Sequence, residues 1–160
     1  MLYLLDTSLL VQAKDEFYPM QRFWQVWDWL EAKALVGQIK IPREIFNELL
    51  DYEDELAEWS KIRATILTID EEITHLDQIY RTGYGFTSEP SEAQKLIMGM
   101  DPFLMNYCIN DIQNRSVVSN ETSKPSRKEQ NRKIPDVCND LGIRHLTMPL
   151  LLHELDFYEK

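Results

Sequence analysis

At 160 residues, with 44% hydrophobic and 11% aromatic content, the sequence has the make-up of one globular domain with one core, expected to span 1–160 without a linker. That balance excludes a disordered chain, a repeat array and a low-complexity polymer. A net charge of −10 argues against a general nucleic-acid coat, which needs a basic balance to displace counterions from phosphates.

The chain opens with Leu2-Tyr3-Leu4-Leu5, an apolar run suited to a buried parallel strand, and Asp6 stands at its carboxyl end where a turn and helix begin. Asp6 also stops the run far short of a signal-peptide core or a membrane span, so a cytoplasmic protein with no membrane partner is expected. Pro19 suits a helix start, and Phe23, Trp24, Trp27, Leu30 and Ala34 follow at helical spacing as far as Gly37, which predicts a tryptophan stripe in the core. A second strand is predicted over 38–41. Pro42 then begins a helix with Phe46, Leu49 and Leu50 on one side and Glu44, Glu48, Asp51 and Glu55 on another.

Two further helices are predicted over 54–63 and 70–81, followed by a loop over 83–90 rich in Gly, Ser, Glu and Pro. Asp101 as cap, with Pro102 at the first helical position, signals a helix over 102–112, and a strand follows over 116–119. Beyond Glu121, a stretch of Ser, Thr, Lys, Asn, Arg and Pro lacks periodicity and reads as a long, mobile loop. Ile134-Pro135-Asp136 leads into a short helix ending at Gly142, a last strand covers 143–147, and an amphipathic helix covers 149–158. Strand alternating with helix implies an α/β fold of three α/β/α layers around a mainly parallel sheet.

Charge is distributed unevenly. From Glu44 to Glu58 there are seven acidic residues and no Lys or Arg, whereas Arg115 to Lys133 carries six basic residues against two acidic ones. In an open parallel sheet, groups at the carboxyl ends of strands converge on one crevice, so Asp6, Glu48, Asp101 and Glu121 can meet although remote in sequence. Taken singly each is less telling: Asp6 and Asp101 have a plainer reading as helix caps, Glu48 as surface charge within an acidic run, and Glu121 alone is a weak signal. Cys108 and Cys138 lie far apart without a metal or redox spacing and read as buried thiols. His75, His145 and His153 stand at no catalytic spacing and read as structural or exposed.

Taken in order, Tyr3-Leu4-Leu5-Asp6-Thr7-Ser8, Asn47-Glu48-Leu49, Asp101-Pro102-Phe103-Leu104 and Val117-Val118-Ser119-Asn120-Glu121 resemble the acidic motifs of PIN-domain nucleases. Lys133-Ile134-Pro135-Asp136-Val137-Cys138 further resembles the signature of a subfamily of toxin-like (VapC-like) ribonucleases. The resemblance implies a PIN-like fold in which Asp6, Glu48 and Asp101 bind Mg2+ or Mn2+, with Glu121 where the family often has a fourth Asp and Asp136 either a further ligand or a cap. Ser8 and Ser119 match supporting positions near the metal. Hard divalent ions favour clustered carboxylates, and a bound ion can turn water into a nucleophile against a phosphodiester.

Lys124, Arg127, Lys128, Arg132 and Lys133 follow Glu121 and are expected to hold backbone phosphates, the plainer reading being a solvated loop. Single-stranded or looped RNA suits such a crevice, with DNA as the alternative substrate. The resemblance also implies a restraining antitoxin or regulatory protein, and it allows a homodimer. The main rival is a catalytically inactive PIN-like scaffold that binds a partner protein. An aspartyl-phosphate phosphatase normally carries a second acid two residues after the first, where this chain has Ser8, and a receiver-like domain lacks its paired early acids here.

Overall fold

The computed structural model describes residues 1–157. Its centre is a five-stranded, wholly parallel sheet in the order β3-β2-β1-β4-β5, formed by β1 (Leu2–Leu5), β2 (Ile39–Pro42), β3 (Thr68–Ile69), β4 (Arg115–Val118) and β5 (Arg144–Leu146). In β1, Tyr3, Leu4 and Leu5 are buried in succession, as are Ser116, Val117 and Val118 in β4. Because neighbouring side chains of a strand point to opposite faces, uninterrupted burial requires cover on both sides, which is the three-layer α/β/α arrangement.

The chain moves outward from β1 through β2 to β3, then returns across β1 to lay down β4 and β5 on the other side. With right-handed crossovers, this reversal places the connecting helices of the two halves on opposite faces and leaves a crevice between β1 and β4 at their carboxyl ends. Leu5 pairs with Val118, so the residues next in line, Asp6 and Ser119, both stand at that crevice.

The helices are α1 (Thr7–Gln12), extended by a π turn at Ala13–Phe17, α2 (Trp24–Leu35), α3 (Arg43–Leu50), α4 (Glu55–Ile62), α5 (Ala64–Leu67) and α6 (Leu76–Gln78), which runs into a π turn at Ile79–Gly83. They continue with α7 (Glu92–Met98), α8 (Asp101–Ile109), α9 (Ile134–Leu141) and α10 (Met148–Glu154). In α3, Ile45, Phe46 and Leu49 face the core while Glu48 looks outward, an amphipathic division that aims the glutamate at the crevice. Gly142 closes α9 in the left-handed conformation, at φ 71, where a side chain would be strained. The buried apolar residues form one contiguous core in which Cys108 and Cys138 are free, buried thiols.

Several expectations need correction. The α2 helix begins at Trp24 rather than Pro19, and Trp24 itself is exposed while Trp27 enters the core, where its indole N–H donates to the Tyr18 carbonyl at 2.8 Å. Glu55 opens α4 instead of continuing the acidic face of α3. Residues 70–75 are not helical: Asn106 Oδ1 accepts the backbone N–H groups of Thr74 and His75, at 3.0 and 2.8 Å, and holds them in a non-helical path. The two-residue β3 and the α7 helix were absent from the expected order; α7 carries a capping box in which Ser91 and Gln94 satisfy each other's backbone donors. The last helix ends at Glu154: Leu155, Asp156 and Phe157 are not helical, and Tyr158, the end of its expected span, lies outside the described residues.

Candidate functional site

Asp6, Thr7, Ser8, Glu48, Asp51, Tyr52, Asp101 and Glu121 line one pocket of about 370 Å3 at the crevice between β1 and β4. Asp6 arrives on the tip of β1, Glu48 on the outer face of α3, Asp101 on the first turn of α8 and Glu121 just beyond β4. The acids expected to meet therefore do so. The capping alternative fits Asp6 in position, since Asp6 is the N-cap residue of α1, though its side chain makes no capping hydrogen bond; it does not fit Asp101, which is the first residue of α8 with Met100 in the cap position.

Each carboxylate is held in its own way. Asp6 is buried and accepts a hydrogen bond from Ser8 Oγ. Glu121 Oε2 accepts the backbone N–H of Ile134 at 2.8 Å, leaving Oε1 for the pocket. The Glu121 backbone N–H donates to Ser119 Oγ at 3.3 Å, and that hydroxyl lies 3.0 Å from His145 Nε2. Ser119 thus supports Glu121 from behind and does not line the pocket. Gly99, at φ 58, brings the turn before Asp101 against α3, and a Cβ there would stand 3.6 Å from Glu48 Oε1. A side chain at Gly99 would be strained by its backbone conformation more than by crowding.

Burial first, and neighbouring charge second, raise the proton affinity of Asp6, Asp101 and Glu48. Burial pushes the Asp6 carboxyl up to about 6, the Ser8 hydrogen bond partly offsets this, and the Glu121 charge adds to it. Asp101 is pushed well above the usual carboxylate range by burial and then by the charges of Asp6, Glu121 and Glu48, with Lys133 acting weakly the other way. Glu48 is raised by burial and by Asp6 and Asp51. None of the four acids is in an ion pair with Lys, Arg or His among the described residues. As they stand, no group of three His, Cys, Asp or Glu side chains among the described residues is close enough to hold one ion. Carboxylates with nothing between them lower their repulsion by standing apart along a wall.

Other expected residues have different employment. Asp136 is buried at the start of α9, where its oxygens accept Ser123 Oγ and, at 2.8 Å, the Lys124 N–H. It does not line the pocket and is not the α9 cap, so both roles considered for it give way to fastening the loop. Arg132 turns away from solvent, donating to the Gly83 carbonyl and pairing with Asp140 at 2.6 Å, which withdraws it from the set expected to meet phosphate. Lys124, Arg127 and Lys128 remain exposed, and Lys133 is half-buried with its field reaching Asp101. The segment over 120–133, expected to be mobile, is tied down by the Glu121, Asp136 and Arg132 contacts and contains a 3-10 turn at Glu129–Asn131.

The pocket includes three side chains not singled out as site residues. Asp51 follows Glu48 by three positions, a helical spacing that could have placed it on the same side. Tyr52 stands exposed at the rim, and Thr7 donates to the Ile45 carbonyl at 3.0 Å, tying the start of α1 to α3.

Residues 3–158 match the family model described as Domain of unknown function (DUF4411). The chain belongs to that family. No curated protein and no solved structure matches it. The DUF4411 match runs from β1 past α10, so the carboxylates and the basic loop all lie within the family's span. Among the described residues of this DUF4411 chain, no helix is long and apolar enough to cross a membrane.

Proposed function

We propose that this chain is a divalent-cation-dependent endonuclease of the PIN-domain type, acting on RNA as the toxin of a toxin–antitoxin pair. What carries the reading is the meeting, in one pocket at the switch point of a parallel sheet, of four carboxylates from separate stretches of chain, none paired with a cationic side chain among the described residues. Such a cluster is costly unless a cation neutralises it, and carboxylate oxygens are the ligands that Mg2+ and Mn2+ prefer. The donor set therefore suits the ion in its chemistry, and Asp6, Glu48, Asp101 and Glu121 would hold it once drawn together around it. When bound, the ion would activate a water and stabilise charge on the phosphate and the leaving oxygen.

The chain's own residues prepare and bind. Ser8 holds the Asp6 carboxylate, and the Ile134 N–H fixes one oxygen of Glu121 so that the other faces the pocket. Lys124, Arg127 and Lys128 offer exposed charge on the loop after Glu121 for backbone phosphates, and Lys133 supplies positive potential nearer the acids. Tyr52 presents a ring at the rim on which an unpaired base can stack. A crevice with this mixture suits a flexible single strand better than a stiff duplex. Exposed Leu96 and Ile97 on α7 give a restraining partner an apolar surface near the site.

Cleavage of a single-stranded RNA in the presence of Mn2+ tests the reading. Cleavage should stop on chelation and fall below detection in Asp6→Asn. A purified protein that cuts equally well after chelation, or equally well as Asp6→Asn, would exclude it.

A further inference from the structure

Tyr84 is 2% exposed, and its hydroxyl is buried without a hydrogen-bond partner among the described residues. Buried hydroxyls are nearly always satisfied, and a phenylalanine would fill the same space without the loss. The surroundings leave the ring little choice of place. Its backbone N–H donates to the Ile79 carbonyl at 3.0 Å, and its ring lies 6.4 Å from that of Phe86. The preceding Gly83 sits so close to α9 that a Cβ would come within 2.9 Å of Val137 Cγ1, and Arg132 holds the Gly83 carbonyl. The segment is thus fixed from both sides, and the hydroxyl lies within the field of Asp101 and Glu121, two of the acids that line the pocket.

We propose that the Tyr84 hydroxyl is a positioning donor for the occupied pocket: it donates to the Asp101 carboxylate, directly or through one water, when a divalent cation is seated on that carboxylate. This rests on the reading of the pocket as a metal site. Carboxylates that bind metal are themselves held by hydrogen bonds, and the loss of such an outer partner weakens metal affinity by about 10–100-fold. Burial pushes the tyrosine hydroxyl well above its ordinary range and the Asp101 charge pushes it further, so the group is a proton donor throughout the physiological range. The unmet donor of the free protein then has its acceptor in the loaded one.

Tyr84→Phe tests this, with free Mn2+ measured by electron paramagnetic resonance during titration and melting followed without metal. The expected result is a metal-free Tm equal to or above the wild type, together with Mn2+ affinity weakened about tenfold or more. In an Asp101→Asn background, the same change should cause no further loss. Equal Mn2+ affinity in wild type and Tyr84→Phe would overturn the proposal, as would a lower metal-free Tm, which would mean that the hydroxyl already has a partner. A wild type that binds no Mn2+ would instead remove the metal reading itself, an outcome distinct from equal binding by both proteins.

Discussion

At the amino ends of β4 and β5, Arg115 and Arg144 each grip a glutamate with both guanidinium nitrogens: Arg115 holds Glu71 at 2.6 and 2.7 Å, and Arg144 holds Glu154 at 2.7 and 2.9 Å. At the carboxyl ends of β1 and β4, Asp6 and Glu121 meet Glu48 and Asp101 with no such cation. The consequences for proton affinity have opposite signs. Arg115 lowers the Glu71 carboxyl and Arg144 lowers that of Glu154, whereas burial and mutual repulsion raise Asp6, Asp101 and Glu48. One edge of the sheet satisfies its charges and contributes stability. The other stores repulsion, which is what the proposed cation site calls for.

Removing one pocket carboxylate should break the contrast most visibly. Asp6→Asn or Asp101→Asn is expected to reduce kcat/KM for Mn2+-dependent RNA cleavage by more than about 100-fold, beyond the usual cost of losing a ligand's outer support. Glu71→Gln should leave kcat/KM within about twofold at temperatures where the variant is folded, since it perturbs the opposite edge.

Stability without metal should respond in the opposite direction. Asp6 shifts from an ordinary 3.8 to about 6, so between those values the folded protein holds a proton that the unfolded chain has released. Folding stability from this group is therefore lost as pH rises through about 6. Urea melts in chelator at pH 7.5 should find Asp6→Asn more stable than wild type by up to about 3 kcal/mol, with the gap shrinking at pH 5. Saturating Mn2+ should stabilise the wild type and reverse the order.

For Glu71, whose carboxyl is lowered, stability is present above its ordinary value and lost as pH falls. Glu71→Gln should cost about 2 kcal/mol at pH 7.5, because it leaves Arg115 partly buried with its ionic contacts broken.

The smallest effects belong to the basic loop. Changing Lys124, Arg127 or Lys128 singly to Ala should reduce the slope of log binding constant against log salt by about 0.7 for a single strand, with Mn2+ affinity unchanged. Arg132→Ala should leave that slope intact and lower Tm, because Arg132 joins Gly83 and Asp140.

Much of this architecture was legible in the sequence because burial on both faces writes itself as an uninterrupted apolar run. Leu2 to Leu5 and Val117-Val118 announced the central strands, and the acids after them announced the crevice. What could not be read depended on distant partners or on very short elements. Thr68–Ile69 is too brief for a period of two to show, and the helical pattern over 70–81 was overridden where Asn106 took the backbone of Thr74 and His75. Leu96 and Ile97 point outward from α7, so its clearest signal was the Ser91 and Gln94 capping pair. Arg132 looked like its basic neighbours until Gly83 and Asp140 claimed it, and Tyr84 lay hidden between two glycines in what reads as a solvent loop.

The central claim is that the carboxyl edge of the sheet awaits a cation, and anomalous diffraction from crystals soaked in Mn2+ addresses it directly. A peak in the pocket, ligated by Asp6 and Asp101 with Glu48 or Glu121 drawn toward it, is the expected result. A well-diffracting soaked crystal with Mn2+ only on the outer surface, and the pocket acids unmoved, would contradict it.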